Sequence, residues 1–235
     1  MIVVTAAGGS PEDCTVYRQI IEAQMKRSTD LGYRCRVYDL GGLGTGSPHQ
    51  VPASDFDLQV NGDSLPAATF KAALVAHTLE FQATDNELVC WLDADCLPLK
   101  DFNPDSLSDV GGFDAAVTLR PAAEIGLSNN PALDYLNSGV VWIRNTPAGR
   151  AFCEYWGKQS VRMKTDQGAL NQAVMPFPAS CDWESWRGRV AVGVRQARVL
   201  ILDATEWNSW HPPFTGARIA HFKRGIRSQY RSYIR

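Results

Sequence analysis

Asp93 and Asp95 stand one residue apart at the end of the short apolar run Leu88-Val89-Cys90-Trp91-Leu92. Two hard oxygen donors at that spacing suit a divalent cation, Mg²⁺ or Mn²⁺, and such an ion commonly also holds substrate phosphates. The run has strand character, and Thr84-Asp85-Asn86 ahead of it reads as a turn. A buried strand ending in Asp-Ala-Asp delivers its oxygens to the carboxyl rim of a sheet, where open α/β sheets bind ligands. D-x-D is a common spacing, so on spacing alone a strand followed by a solvated acidic turn stands level with the metal reading.

The elements that must carry these residues alternate. Met1 to Ala7 reads as a first strand. Ser10, Pro11, Glu12 and Asp13 suit a helix start, Val16, Ile20, Ala23 and Leu31 give it an apolar stripe, and Gly32 ends it. Arg34 to Leu40 is a second strand, and Gly41 to Pro52 a glycine-rich loop without a dinucleotide or P-loop fingerprint. A helix from about Pro66 to Gln82 precedes the acidic strand. This β-α-β-α-β order predicts a mostly parallel, doubly wound α/β sheet flanked by helices. Further on, strands are expected at Asp114 to Leu119, Val140 to Ile143, Val199 to Leu202 and Ala217 to Phe222. Helices are expected to open at Thr146-Pro147 and at Asp166. Neither a repeat nor a linker divides the 235 residues, so one domain is expected.

Composition narrows the class. With 45% hydrophobic and 20% charged residues a packed core is expected, and a net charge of -2 argues against a protein that coats nucleic acid. No apolar run reaches the ~18 residues a membrane span needs. The N-terminus lacks the basic start of a secretory signal, and the six cysteines show neither C-x-x-C nor zinc spacing. Free thiols in a reducing cytoplasm are expected.

Five motifs follow one another: Asp93-Ala94-Asp95, Leu136-Asn137-Ser138-Gly139-Val140, Asp166-Gln167 with Asn171, Trp207-Asn208, and His221-Phe222-Lys223. In this order the chain resembles the nucleotide-sugar glycosyltransferases of the GT-A fold, most of all the retaining group that includes glycogenin and bacterial lipopolysaccharide galactosyltransferases. The resemblance spans nearly the whole chain, although no Lys-Pro-Trp segment follows the histidine. It implies a nucleotide-binding half over about residues 1–100, and a donor-sugar and acceptor half over about 101–235. The implied donor is a UDP-hexose. The acceptor is a hydroxyl on a saccharide, a lipid-linked sugar, a protein or a modified DNA base. The last option, glucosylation of hydroxymethylated pyrimidines, draws on the basic tail of Arg224, Arg227, Arg231 and Arg235 and on Arg187, Arg189, Arg195 and Arg198. A nucleotidyltransferase and a non-catalytic nucleotide-sugar or nucleic-acid binding module are the alternatives of other classes.

The resemblance assigns roles residue by residue. Asp95 and His221 are implied metal ligands, and Asp93 binds the metal or the ribose; an imidazole among oxygens favours Mn²⁺ over Mg²⁺. By itself His221 reads as an ordinary histidine, and only its place in the motif order marks it. Lys223 suits a phosphate oxygen or a solvated tail, and Lys71 the donor or an exposed helix face. The small residues Thr5, Ala6 and Ala7 at the end of the first strand would let a base approach, or simply pack. Asn137, Ser138, Asp166 and Gln167 suit sugar hydroxyls. In the bland reading Asn137 and Ser138 form a turn and Asp166 caps a helix. Asp166, Gln167 and Asn137 are the residues implied near the anomeric carbon. Trp183, Trp186, Trp207 and Trp210 are expected mainly in packing, with some against acceptor sugars.

Overall fold

The computed structural model describes residues 1–7, 11–39, 50–52, 70–107, 111–121, 125, 135–174, 183–223 and 229–233. The cap residue Ser10, most of the 41–52 loop, the helix start at 66–69, Cys181 and the tail arginines Arg224, Arg227 and Arg235 lie outside them.

Eight strands form the central sheet. They are β1 (Ile2–Ala7), β2 (Arg34–Asp39), β3 (Gln50–Pro52), β4 (Leu88–Leu92), β6 (Ala115–Leu119), β7 (Leu136–Arg144), β8 (Val190–Val192) and β9 (Arg198–Asp203), in the order β3-β2-β1-β4-β7-β6-β9-β8. Four of the seven pairings are parallel, as a doubly wound sheet requires, and the antiparallel ones fall at β7 and the β8 edge. Helices α1 (Pro11–Asp30), α2 (Lys71–Phe81), α3 (Pro147–Met163), α4 (Asp166–Ala173) and the single turn α5 (Ala204–Trp207) flank it. β5 (Cys96–Pro98) and β10 (Ile219–His221) form a separate antiparallel pair.

Alternation along the strands splits the core in two. Val4, Val89, Trp91, Val117 and Val141 face one side, against Leu74, Val75 and Leu79 of α2, Phe152 and Trp156 of α3 and Leu170 of α4. Val3, Cys90, Ala116 and Trp142 face the other, against Ile21 and Met25 of α1, Phe102 and Trp207. α1 stops at Asp30, and Gly32 takes φ +81 so that Tyr33 N–H returns to Ser28 O at 3.0 Å. Leu31, expected on the apolar stripe, lies past that stop and is 38% exposed, whereas Ile20 is fully buried.

Three expectations are revised. Of the stretch 41–52, expected as a loop, the described residues Gln50–Pro52 form β3, which pairs in parallel with β2. Asn137 and Ser138 do not form a turn ahead of their strand. They lie inside β7, because Leu119 pairs with Leu136 and Thr118 with Asn137. Asp166 does not cap α4. Thr165 does, accepting from Gly168 N at 3.4 Å, and this frees the Asp166 carboxylate. The short strands β5 and β8 were not legible beforehand, since three residues carry too little periodicity.

Candidate active site

β4 ends at Leu92, and a tight turn carries Asp93 and Asp95 off the sheet. Two backbone hydrogen bonds and two from a side chain hold that turn. Asp93 N–H donates to Gly139 O at 2.8 Å, and Cys96 N–H to Asp93 O at 2.9 Å. The buried amide of Gln24, reaching across from α1, donates to Asp93 O at 3.1 Å and to Cys96 O at 2.9 Å. Sequence reasoning passed over Gln24. Its signal is a polar residue within the buried face formed by Ile20, Ile21, Met25 and Ser28.

Pairing of β10 with β5 sets His221 opposite Cys96, and Phe222 N–H bonds Asp95 O at 2.8 Å. The imidazole Nε2 of His221 thereby comes within 3.1 Å of Asp95 Oδ1 and 3.9 Å of Asp93 Oδ2. Asp95, Cys96 and His221 hold their potential donor atoms within 4.8 Å of one another, a cluster that could hold a metal ion. Burial pushes the Cys96 thiol well above its ordinary pKa, and Asp93 and Asp95 push the same way. Its sulfur lies 3.7 Å from Gly139 O as a protonated donor.

The other oxygen of Asp93 faces a different group. Asp93 Oδ1 accepts from Trp91 Nε1 at 2.8 Å and lies 2.7 Å from Lys71 Nζ. Lys71 Nζ also lies 2.8 Å from Asp166 Oδ2, so one ammonium bridges the end of β4 to the start of α4. Burial by itself would lower the Lys71 pKa, but the two carboxylates reverse this and hold it above its ordinary value. Burial would likewise raise the Asp166 pKa. Lys71 outweighs it, helped by Ser138, and holds Asp166 below the usual carboxylate range.

β7 contributes through a bulge. Residues 138–140 have no opposite on β6, since Val117 pairs with Val141 and Thr118 with Asn137. Asn171 of α4 anchors the start of that strand, accepting from Leu136 N–H at 3.0 Å and donating to Leu136 O at 3.3 Å. Ser138 therefore sits beside Lys71 and Asp166, its carbonyl 3.4 Å from Lys71 Nζ. Gln167, next to Asp166, is partly exposed.

Lys223 lies 4.6 Å from the centre of the Trp210 ring, and Arg120 5.9 Å from it. Burial lowers the Lys223 pKa, and the carboxylates of Asp93 and Asp95, which it faces, offset part of the loss. Thr5 and Ala6 lie just past the last β1–β4 pair, Val4–Trp91. Thr5 is fully buried, and Ala6 packs on the core; Ala7 ends the strand. Trp207 is a core residue, edge-on to Trp142 at 5.8 Å, and Trp186 packs at the rim of the core on the opposite face of the sheet.

Asp93, Asp95, Asp166, Asn137, Ser138, Lys71, His221 and Lys223 thus meet in one place. No protein-family model matches the sequence, and no curated protein matches it. The fold does match solved structures. A glycosyltransferase involved in glycosylation of the major capsid of PBCV-1 superposes with TM-score 0.59 at 13% identity, covering 99% of this chain and 98% of that one. The apo form of the glycosyltransferase GlyE of Streptococcus pneumoniae TIGR4 superposes with TM-score 0.50 at 14% identity, over 99% of this chain and 59% of the other. The galactosyltransferase LgtC, in complex with donor and acceptor sugar analogues, gives 0.49 at 14% identity over 100% and 95%. The first two carry the conclusion that this chain has the GT-A glycosyltransferase fold.

Proposed function

We propose that the protein is a metal-dependent glycosyltransferase that moves a hexose from a UDP-linked donor to a hydroxyl acceptor with retention at the anomeric carbon. The observation that carries this is the approach of His221 Nε2 to within 3.1 Å of Asp95 Oδ1, on the same carboxyl rim as the Lys71–Asp166 pair. Carboxylate oxygens with one imidazole suit Mn²⁺. Asp95, His221 and Asp93 through Oδ2 would hold the ion, which when bound offsets the charge that gathers on a departing diphosphate.

The chain's own groups divide the remaining work. Lys223, two residues after His221 and over the Trp210 ring, supplies an ammonium suited to a diphosphate oxygen. Lys71 is engaged by Asp93 and Asp166, so its role is to hold both carboxylates in place and to keep Asp166 ionised. Asp166 then accepts from sugar hydroxyls, with the partly exposed Gln167 amide beside it and Ser138 on the facing strand; Asn137, whose oxygen is taken by Gly139 N–H and Asn208, acts from behind the site and not on the sugar. A carboxylate held at low pKa is a poor general base. Retention is what the resemblance implies, and in it the leaving phosphate can take the acceptor proton without a base from Asp166.

The likeness to a capsid-glycosylating enzyme supports a protein or protein-linked sugar as acceptor ahead of a DNA base. Two of the arginines on which DNA binding would rest are engaged: Arg187 pairs with Asp203, and Arg231 lies over the Tyr230 ring. The described cysteines Cys35, Cys90, Cys96 and Cys153 are free thiols, which supports a reducing compartment such as the cytoplasm. No described helix is long and apolar enough to cross a membrane.

Hydrolysis of a panel of UDP- and GDP-hexoses, with Mn²⁺ and with EDTA, tests the reading. Release of UDP that requires Mn²⁺ is expected. Turnover unchanged in EDTA would sink the metal dependence, and pyrophosphate release from a nucleoside triphosphate and a sugar phosphate would mark a nucleotidyltransferase instead.

A further inference from the structure

Behind His221 runs a buried chain of side chains whose hydrogen-bond polarity is set at one end by a backbone group. The proton on Gly139 N is fixed by the peptide bond, and this N–H donates to Asn137 Oδ1 at 2.7 Å. The atom of Asn137 in that place must therefore be oxygen. Asn208 meets the same oxygen at 2.9 Å, so the group it presents must be its amide nitrogen, which also lies 3.1 Å from Thr118 Oγ1. The other end of the Asn208 amide is then oxygen, and it lies 2.8 Å from His221 Nδ1. An amide oxygen only accepts, so Nδ1 carries a proton. In the neutral imidazole the lone pair then sits on Nε2, the atom that faces Asp95.

We propose that Asn208 is the positioning residue of the metal centre: by accepting the Nδ1 proton of His221 it holds the imidazole in the tautomer and orientation that turn the Nε2 lone pair toward Asp95. The proposal rests on the metal reading above. Asn208 is itself well anchored. It follows Trp207, which packs edge-on to Trp142 and lies under the Arg218 guanidinium, and its N–H returns to Ala204 O at 3.0 Å. Asn208 is 0% and His221 2% exposed, so water does not compete for the bond between them. Partners of this kind fix the donor atom of a ligating histidine, and losing one costs roughly 10–100-fold in metal affinity.

Long-range ¹H–¹⁵N correlation spectra of the metal-free wild type at about pH 9, above the ordinary imidazole range, read the tautomer directly. His221→Gln assigns the resonance among the four histidines. A protonated Nδ1 is expected, and a bare Nδ1 with the proton on Nε2 overturns the proposal without any variant having to fold. Calorimetric titration with Mn²⁺ is the second arm. Asn208→Ala should bind roughly 10–100-fold more weakly than wild type while keeping its circular dichroism. A folded Asn208→Ala that binds Mn²⁺ like wild type overturns the positioning role. If wild type shows the protonated Nδ1 and yet binds no Mn²⁺, the metal reading has failed and the tautomer assignment stands.

Discussion

Gly139 lies so close beneath the His221 ring that a β-carbon on it would stand 2.4 Å from His221 Cε1 and 2.9 Å from Nδ1. It would also stand 2.9 Å from Asn137 Oδ1. The glycine is required by this close approach of side chain to backbone. Gly139→Ala is expected to displace the imidazole, at about 1–3 kcal/mol in stability for forcing a methyl into a packed site. Urea denaturation and Mn²⁺ titration should both register it. No change in either would mean that His221 moves aside freely and is not held where the structure has it.

Removing Asp95 tests the metal more directly. Asp95→Asn keeps the shape and loses the charge, and donor turnover should fall by about 100-fold or more, the usual scale of electrostatic stabilisation at a leaving group. The variant should stay folded, because the backbone groups of Asp93, Asp95 and Cys96 hold the turn through bonds that the substitution leaves intact. Activity within a few-fold of wild type would remove Asp95 from the ligand set.

Lys71→Met leaves Asp93 and Asp166 without their shared counter-charge, and a loss of about 3 kcal/mol is expected at neutral pH. The pH dependence follows from the shift directions. Asp166 is held low in the folded state, so its contribution is present above the unfolded carboxylate range and is lost as pH falls through the lower folded value. Lys71 is held high, so its contribution is present below the unfolded lysine range and is lost only as pH rises through the folded value. In Lys71→Met, burial raises Asp166 instead, and the carboxyl protonates sooner. The stability gap between wild type and variant should therefore narrow below about pH 5. A gap that stays constant from pH 7 to pH 3 would show that Lys71 matters as packing and not as charge.

Stereochemistry separates the two roles open to Asp166. With Lys71 holding its carboxylate at low pKa, the product should keep the donor's anomeric configuration, read from the proton coupling constant at the new linkage. An inverted product would require a general base, and Asp166 would be the first residue to re-examine.

β1, α1, β2, α2 and β4 were legible because each is long enough to show its period or its ends, as with the all-apolar β4 and Gly32 after α1, and the Pro147 start of α3 was legible in the same way; three-residue β3 was not. The acidic pair was legible too, since its spacing is local. Motif order by itself pointed to the fold that structural comparison then found. What the sequence could not show is which partners those residues meet. Lys71 and Asp166 belong to separate helices, and only the packing of α2 and α4 on one face of the sheet puts them 2.8 Å apart. His221 is an ordinary histidine until β10 pairs with the three-residue strand β5, which is too short to be read from its pattern. The bland reading of Asp166 as a cap does not hold because the cap falls one residue earlier, at Thr165, and the Asp166 carboxylate meets the buried ammonium of Lys71 instead. Gln24 and Asn208 act entirely through tertiary contacts, with the turn after β4 and with the buried face of His221. Local chemistry is written in neighbouring residues. The polarity of a buried network is decided only when the chain has closed around it, since there each donor must find its acceptor and water supplies neither.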